Sequence, residues 1–168
     1  PNSRRQLTLF VMEPWSSRLD ALRRALDPAQ ASLIAAHVTL CREDEIEHLY
    51  QESIFSRVQE WTHGPVSLSF GQPRRFNGHG VLLPCVQGSG QFHTLRQWLL
   101  QDQAAREHGA HLTLAHPRNP KSPGNTDAAI AAFPQTLQLQ FSAVAGSLAR
   151  TLGAAESKHV VASDARDA

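Results

Sequence analysis

The sequence predicts a mixed fold of helices and strands, α/β or α+β, built on a mixed or antiparallel sheet. Two segments, Val66–Phe70 and Leu137–Phe141, alternate strictly between apolar and polar residues, as half-buried strands do. Leu19, Leu22 and Leu26 are spaced three and four apart, as on one face of a helix. Because several predicted strands follow one another without an intervening helix, a simple doubly wound parallel sheet is disfavoured.

Turn residues divide the chain into regular elements in the following order. Apolar runs rich in strand-forming residues predict strands at 7–12, 33–41, 66–70, 81–86, 111–114, 137–141 (with a possible extension to 148) and 159–162. Apolar residues three and four apart predict helices at 16–26, 44–61, 92–99 and 127–133. The second helix places Tyr50 on its apolar face with Ile46 and Ile54. Asp27-Pro28 ends the first helix, and Gly64-Pro65 ends the second.

The composition indicates a small protein with little net charge. The 168 residues suit one compact domain, which we place at residues 1–150, followed by a C-terminal strand and tail at 151–168. The net charge of +1 disfavours a large basic surface for nucleic acid but is compatible with a local pocket for one phosphate. Nine histidines are many for this length, so histidine chemistry is considered first. Nothing in the sequence demands a dimer, and we expect a monomer.

Cysteine use and hydropathy predict a soluble, cytoplasmic protein. Cys41 and Cys85 both lie in apolar runs, which favours two buried free thiols over a disulfide or a catalytic cysteine. Free thiols fit a reducing compartment. Residues 1–6 lack the apolar segment of a secretory signal, and no run reaches the roughly 18 apolar residues that span a bilayer. We therefore expect no membrane partner.

Two copies of a four-residue pattern carry the functional prediction. Residues 37–40 read His-Val-Thr-Leu and residues 111–114 read His-Leu-Thr-Leu, each inside a predicted strand. Because successive side chains of a strand point to opposite faces, His37 and Thr39 share one face, and so do His111 and Thr113. A single copy is more often a packed or surface pair. Two copies, one in each half of the chain, favour a functional site.

Two histidines that face one cavity suit the opening of a cyclic phosphate. This reaction needs a base to take a proton from water and an acid to protonate the leaving oxygen. Attack and departure lie roughly in line on opposite sides of phosphorus. The unperturbed pKa of histidine, about 6.5, allows one ring to be neutral and the other protonated near neutral pH. Thr39 and Thr113 can hydrogen-bond the non-bridging oxygens. Neither a metal nor a cofactor is required.

The paired motifs resemble those of the 2H phosphoesterase superfamily, in particular its bacterial branch of 2′-5′ RNA ligases and 2′,3′-cyclic phosphodiesterases. The resemblance runs from about Leu7 to about Leu148 and includes segment 80–86, the loop before it and the helix after it. It implies a bilobal α+β fold in which two small antiparallel sheets, related by a pseudo-twofold axis, face a central cleft with helices outside. It also implies hydrolysis of 2′,3′-cyclic phosphates, commonly to a 2′-phosphate, and sometimes reversible 2′-5′ RNA joining.

The resemblance assigns roles to the four motif side chains. His37 and His111 become the catalytic acid–base pair, and Thr39 and Thr113 become phosphate binders. The sequence does not distinguish the acid from the base. The substrate is then an RNA end or a cyclic nucleotide.

A basic residue often follows a motif in this branch and helps to hold phosphate. Arg42 stands five places past His37 and matches that pattern. The corresponding place after the second motif is His116, so the sequence departs from the pattern on that side. Arg118 is the candidate that would supply the charge instead, although a solvated loop residue is the favoured interpretation.

Two further patterns are weaker candidates. His108, His111 and His116 lie close together in the sequence, but no acidic partner accompanies them, so a zinc site is disfavoured. Residues 74–75 are both arginines and precede Phe76, a combination that can contact an RNA backbone and a base. A solvated loop is the favoured interpretation of that segment.

Two classes of function follow from these observations. The first is an enzyme that acts on a cyclic phosphate or a 2′-5′ linkage. The second is a binding module that holds an RNA end or a nucleotide in the same cleft without turnover. The presence of both histidines and both threonines favours the enzyme, because a binding module needs no pair of proton-transfer groups.

Overall fold

The computed structural model describes residues 4–76, 80–131, 137–141, 150–152 and 156–158. The α-helices are α1 Trp15–Leu26, α2 Pro28–Leu33, α3 Glu43–Ile46, α4 Gln51–Glu60, α5 Ser89–Leu100 and α6 Asp127–Ala131, and Pro123–Asn125 forms a 3₁₀ turn. The strands are β1 Arg4–Arg5, β2 Leu7–Phe10, β3 His37–Cys41, β4 Val66–Phe70, β5 Arg74–Arg75, β6 Val81–Gln87, β7 His111–Ala115, β8 Leu137–Phe141, β9 Arg150–Leu152 and β10 Glu156–Lys158.

The strands form one large curled sheet and one small sheet. The seven-stranded sheet has the order β2-β3-β7-β6-β4-β8, with β5 paired to β6, and the three-stranded sheet has the order β1-β9-β10. All the described strand pairs are antiparallel, which confirms the α+β prediction. The sheets of the two halves, β2-β3 and β7-β6-β4-β8, are joined edge to edge through β3 and β7.

The pairing of β3 with β7 brings the two motifs together. The register matches Val38 with Leu112. In an antiparallel pair, one step forward on a strand matches one step back on its neighbour, so this register places His37 beside Thr113 and Thr39 beside His111. Each motif histidine is thus the cross-strand neighbour of the other motif's threonine.

The apolar residues of both motifs form the centre of the core. Val38 and Leu40 on β3, like Leu112 and Leu114 on β7, are at most 4% exposed. Helix α1 packs against β7, and α5 packs against β3 and β4. Helix α1, from the half of the first motif, therefore covers the strand of the second motif, and α5, from the half of the second motif, covers the strand of the first. Burial of each such side chain contributes about 1.5–3 kcal/mol to stability.

The segment before β3 differs from the prediction. Residues 33–36 were expected to begin a strand, but Pro28–Leu33 is helical and the strand starts at His37. The side chain of Asp27 accepts the backbone N–H of Gln30 at 3.1 Å, and Pro28 occupies the first turn. An Asp-Pro pair can begin a helix as well as end one. The aspartate side chain accepts a hydrogen bond from a free backbone N–H group of the first turn, and proline has no backbone N–H group to be satisfied there.

The predicted helix at 44–61 is also interrupted. It is divided into α3 and α4, and Tyr50, expected on the apolar face, is 80% exposed at the N-terminus of α4. Ile46 and Ile54 are nevertheless both buried. The break between α3 and α4 leaves the apolar residues of both helices on the side of the core. The spacing of apolar residues in the sequence therefore does not reveal that the helix is interrupted.

The structure bears on the predictions for the cysteines. Among the described residues both cysteines are free: Cys41 is buried as expected, whereas Cys85 is only half-buried. None of the described helices is both long and apolar enough to span a membrane. Residues 132–133, 142–148 and 159–168, which include parts of a predicted helix and the predicted strand at 159–162, lie outside the described residues. The proposed division at residue 150 stays a prediction.

Candidate active site

A cleft of about 490 Å³ borders the two motif strands. Its volume falls in the range of small-molecule sites, about 300–1,000 Å³. Thr39, His111 and Thr113 line it. The other described lining residues are mainly charged, aromatic or imidazole side chains and include Arg5, Arg42, Glu43, Asp44, Glu47, Phe76, His108 and His116.

The alternation predicted for the two motifs is confirmed in both strands. In each, the His and Thr side chains are half-buried while the intervening apolar residue and the two that follow are buried. His37 shares its face of β3 with Thr39, but it is not among the described residues that border the cleft volume. It lies one cross-strand step from Thr113, with its ring 6.2 Å from that of Phe10.

The two motif histidines are anchored in the same way. The Nδ1 of His37 lies 2.8 Å from the carbonyl oxygen of Ala35, and the Nδ1 of His111 lies 2.9 Å from that of Gly109. A carbonyl oxygen only accepts, so each Nδ1 carries a proton and donates it. Each Nε2 is then the nitrogen that gains or loses the exchangeable proton. Matching anchors two residues upstream thus leave both rings with the same reactive nitrogen.

An ion pair on α1 holds the segment that leads into the first motif. Arg23 is 3% exposed, and its Nη1 donates to Asp20 Oδ1 and to the carbonyl of Ile34, both at 2.9 Å. The same oxygen of Asp20 accepts the backbone N–H of Ala36 at 2.8 Å. The chain is therefore fixed one and three residues before His37.

A second buried arginine connects the two motif regions. Arg96 on α5 is fully buried, and its Nη1 donates to the carbonyl of Leu40 at 2.5 Å. Its Nη2 donates to Glu45 at 2.6 Å and to the carbonyl of Arg106 at 2.7 Å. Arg96 thereby ties α5 to the end of β3, to α3 and to the loop that precedes β7.

The charge of Arg96 is matched by Glu45, whose side chain is 10% exposed. Burial raises the pKa of the Glu45 carboxyl. Hydrogen bonds from the Arg96 guanidinium and the Arg42 amide outweigh that effect and, with the charge of Arg106, lower the pKa of Glu45 to about 2. The Glu45 carboxylate is therefore ionised at every pH at which the protein would be assayed.

The places five residues after each motif histidine both border the cleft. They are occupied by Arg42, which is exposed, and by His116. Arg118 is exposed and is not among the described lining residues; its Nε donates to His116 Nδ1 at 3.2 Å. The loop is held by the buried carboxylate of Asp27, which accepts the His116 N–H at 2.8 Å and the Asn119 amide at 3.0 Å. Arg118 thus contacts the cleft through His116.

An aromatic ring covers part of the second motif. Phe76 lines the cleft and stacks on His111, with ring centroids 6.2 Å apart and planes at 24°. Gly80, the first described residue after Phe76, has a φ of +85°. A Cβ there would lie 2.8 Å from the nitrogen of Pro117 and 2.9 Å from the carbonyl oxygen of Ala115. Only glycine permits both this conformation and this approach to the motif strand.

Two of the alternatives raised by the sequence receive little support. Arg75 donates to Asp127 at 2.6 Å and to the carbonyl of Asn125 at 3.4 Å, so it is bound within the protein rather than free for a substrate. Arg74 next to it is exposed. Throughout the described ranges, no three His, Cys, Asp or Glu side chains converge as a metal site requires.

Burial sets the protonation of two histidines. It lowers the pKa of His37 to about 4; the hydrogen bond to Ala35 opposes this, and the charges of Arg23, His111 and His116 add to it. Burial also lowers the pKa of His108 to about 4, mainly with the help of the charge of Arg96.

We expect the free energy of unfolding to decrease as the pH falls from 6.5 to about 4. In the unfolded chain His37 and His108 titrate near the ordinary value of 6.5, but in the folded protein only near 4. Between these values the unfolded state binds more protons, so acid favours it. The contribution of the two neutral rings to the free energy of unfolding is complete above pH 6.5 and is lost below about pH 4.

Urea unfolding followed by tryptophan fluorescence across this pH range measures the effect. The variant His108→Gln should flatten the decline, whereas His48→Gln, a change at an exposed histidine, should leave it unchanged. A free energy of unfolding that does not vary with pH in this window would contradict the assigned burial.

The buried arginines were not identified from the sequence, although a signal exists. Residues 19–26 read Leu-Asp-Ala-Leu-Arg-Arg-Ala-Leu and residues 92–99 read Phe-His-Thr-Leu-Arg-Gln-Trp-Leu. In each, an arginine follows the second apolar residue, at a position that helical periodicity assigns to the apolar face. These arginines are Arg23, which donates to the Ile34 carbonyl before the first motif, and Arg96, which donates to the Arg106 carbonyl before the second. The resemblance between the two halves of the sequence thus includes the preceding helices as well as the motif strands.

The chain matches a model of a known protein family. A family model described as the 2′-5′ RNA ligase superfamily matches residues 11–153. The matched range includes both His-x-Thr-Leu motifs, the strands that carry them and the helices with the two buried arginines. No curated protein matches the chain.

Proposed function

The chain belongs to the 2′-5′ RNA ligase superfamily of 2H phosphoesterases, and on that premise we propose that it is a metal-independent phosphodiesterase that opens 2′,3′-cyclic phosphates. The substrate is an RNA end or a cyclic nucleotide, the main product is a 2′-phosphate, and reversible 2′-5′ RNA joining is the related second activity. The bacterial branch of the superfamily stays a prediction.

One observation carries this proposal: two His-x-Thr pairs stand on adjacent antiparallel strands, three of their four side chains line a single cleft, and each histidine has its Nδ1 anchored. The cross-strand arrangement of His37 with Thr113 and of His111 with Thr39 gives each proton-transfer group a neighbouring hydroxyl. A phosphate bound between the strands would meet one imidazole on each side, as in-line displacement requires.

The proposed reaction proceeds in one displacement. One Nε2 takes a proton from water as the water oxygen attacks phosphorus, and the bond from phosphorus to the ribose 3′ oxygen breaks. The other Nε2, protonated beforehand, gives its proton to that departing oxygen. The products are a 3′ hydroxyl and a 2′-phosphate, and the two rings have exchanged protonation states. When a ribose 5′ hydroxyl takes the place of water, the same displacement forms a 2′-5′ phosphodiester and a 3′ hydroxyl, which accounts for a joining activity.

The threonine hydroxyls would stabilise the charge that develops on the non-bridging oxygens. Arg42, which lines the cleft five places after His37, adds a positive charge on that side. Arg118 stays a weaker prediction, because it is exposed and its Nε is bound to His116. The exposed face of Phe76 offers a surface on which the base can stack.

Turnover tests the proposal directly. The purified protein is incubated in EDTA with the four 2′,3′-cyclic nucleotides and with a short RNA that ends in a 2′,3′-cyclic phosphate, and the products are resolved as 2′- or 3′-phosphates. We expect conversion to the 2′-phosphate. Tight binding of the same compounds without turnover of any of them would instead support the binding module.

Valine in place of Thr39 or Thr113 is expected to lower kcat by about 10- to 10³-fold while KM changes little. Valine keeps the shape of threonine but removes the hydroxyl, and a donor used mainly in the transition state affects kcat more than binding. Steady-state kinetics on a cyclic nucleotide measure the change. Thr94→Val, at an exposed position on α5, is the matched control. An effect on KM alone would contradict the assigned role.

A further inference from the structure

His108 lies outside the two motifs but contacts the first of them. It precedes His111 by three residues, in the loop between α5 and β7, and its half-buried side chain lines the cleft. Its Nε2 lies 3.3 Å from the carbonyl oxygen of Thr39. Because a carbonyl oxygen only accepts, Nε2 carries the proton and donates it. The second half of the chain thereby reaches across to the first motif.

The contact falls where the pairing of the two motif strands ends. The register between β3 and β7 consists of the single pair Val38 with Leu112 among the described residues. Thr39 is the next residue along β3, and its carbonyl is the group that accepts from His108. The imidazole thus adds one hydrogen bond between the halves beyond the end of the main-chain ladder.

The same short loop also holds the second motif. Gly109, next to His108, provides the carbonyl that anchors His111 Nδ1 at 2.9 Å. A displacement of this loop would therefore move the ring of His111 and release the strand of Thr39 together. The separation between one proposed proton-transfer group and one proposed phosphate donor depends on where His108 sits.

The ring of His108 is fixed by its surroundings. It meets the ring of Phe92 edge-on, with centroids 5.4 Å apart, and its Nδ1 is buried without a hydrogen-bond partner among the described residues. The loop is further held by the bond from Arg96 to the Arg106 carbonyl at 2.7 Å. Burial lowers the pKa of His108 to about 4; the charges of Arg96, Arg42 and His111 add to this effect, and the charge of Glu45 opposes it. The ring is thus a neutral donor at the pH of an assay.

We propose that His108 is a positioning residue, whose imidazole N–H, bonded to the Thr39 carbonyl, sets the spacing between the two motif strands. This inference rests on the proposed phosphodiesterase function. Two of the nine histidines then transfer protons, and a third, which stays neutral, holds the strands that carry them.

Two variants at this position test the proposal. His108→Gln keeps an amide N–H near the place of Nε2, whereas His108→Phe keeps a flat ring and loses the donor. We expect His108→Phe to lower kcat by about 10- to 100-fold, the usual cost of a small misplacement of reacting groups. We expect its KM to stay within about threefold of wild type, and His108→Gln to retain most of kcat with an unchanged pH profile. Unfolding in urea reports whether each variant is folded at the assay temperature.

Three results would overturn the proposal: a wild-type kcat in His108→Phe, an equal loss in both variants, or a loss explained by the unfolded fraction alone. A readout without turnover distinguishes this failure from failure of the proposed function. Long-range ¹H–¹⁵N spectra should show the proton of His108 on Nε2. The backbone amides near Thr39 and His111 should shift in His108→Phe and not in His108→Gln. If the spectra show these results but the wild-type protein turns over no cyclic phosphate, the proposed phosphodiesterase function is wrong, whereas the bond between His108 and Thr39 is supported.

Discussion

Asparagine in place of His37 or His111 is expected to lower kcat/KM for a 2′,3′-cyclic phosphate by about 10²–10⁴-fold, the usual contribution of a general acid or base. Asparagine is the sharper choice over alanine because its amide nitrogen lies near the place of Nδ1. It can keep the bond to the Ala35 or Gly109 carbonyl while the reactive Nε2 is removed.

The two single variants should lose similar amounts. The double variant should lose much less than the product of the two losses, because groups that act as a unit are strongly non-additive. His48→Asn, at an exposed position, is the matched control and should keep the wild-type rate. A large effect from only one of the two motif histidines would contradict a mechanism that uses both rings for proton transfer.

Methionine in place of Arg96 is expected to lower the free energy of unfolding by about 3–5 kcal/mol, the usual cost of removing one partner of a buried ion pair. Arg96 is fully buried, and its loss leaves the carboxylate of Glu45 without its buried partner. The carbonyls of Leu40 and Arg106 also lose a donor. Methionine fills much of the volume, so the cavity left behind is small.

Urea unfolding of a double-mutant cycle checks this result. Arg96→Met combined with Glu45→Gln should recover part of the loss, because a buried charge is no longer left unpaired. Arg24→Met, one residue after the buried Arg23 but exposed, is the control and should change stability little. A change of less than about 1 kcal/mol in Arg96→Met would contradict the central place given to this ion pair.

Much of the fold could be predicted from the sequence wherever one periodicity dominates. Both motif strands, β4, β8 and helices α1 and α5 have regular apolar spacing, and the structure places them within a few residues of the predictions. The predictions failed where one local signal has two meanings. Asp27-Pro28 ends α1, as predicted, but it also begins α2. Ile46 and Ile54 fit one continuous helix, yet they belong to two.

The candidate site was only half predictable for a different reason. His37, Thr39, His111 and Thr113 are marked by a repeated pattern, and strand alternation alone fixes which side chains share a face. The groups that hold them in place are set by tertiary contacts. The bond from His108 to the Thr39 carbonyl spans 69 residues, and no local pattern predicts such a contact. The register between β3 and β7 likewise depends on how the two halves pack.

The most direct test of the central claim is the fate of the oxygen of water. Wild-type protein and the His37→Asn/His111→Asn double variant are each given a 2′,3′-cyclic nucleotide in H₂¹⁸O with EDTA, and the product is analysed by mass spectrometry and ³¹P NMR. We predict that wild type forms a 2′-phosphate with one ¹⁸O atom on phosphorus and that the double variant forms almost none. Turnover that requires an added divalent metal, or that continues at the wild-type rate in the double variant, would contradict the two-histidine mechanism.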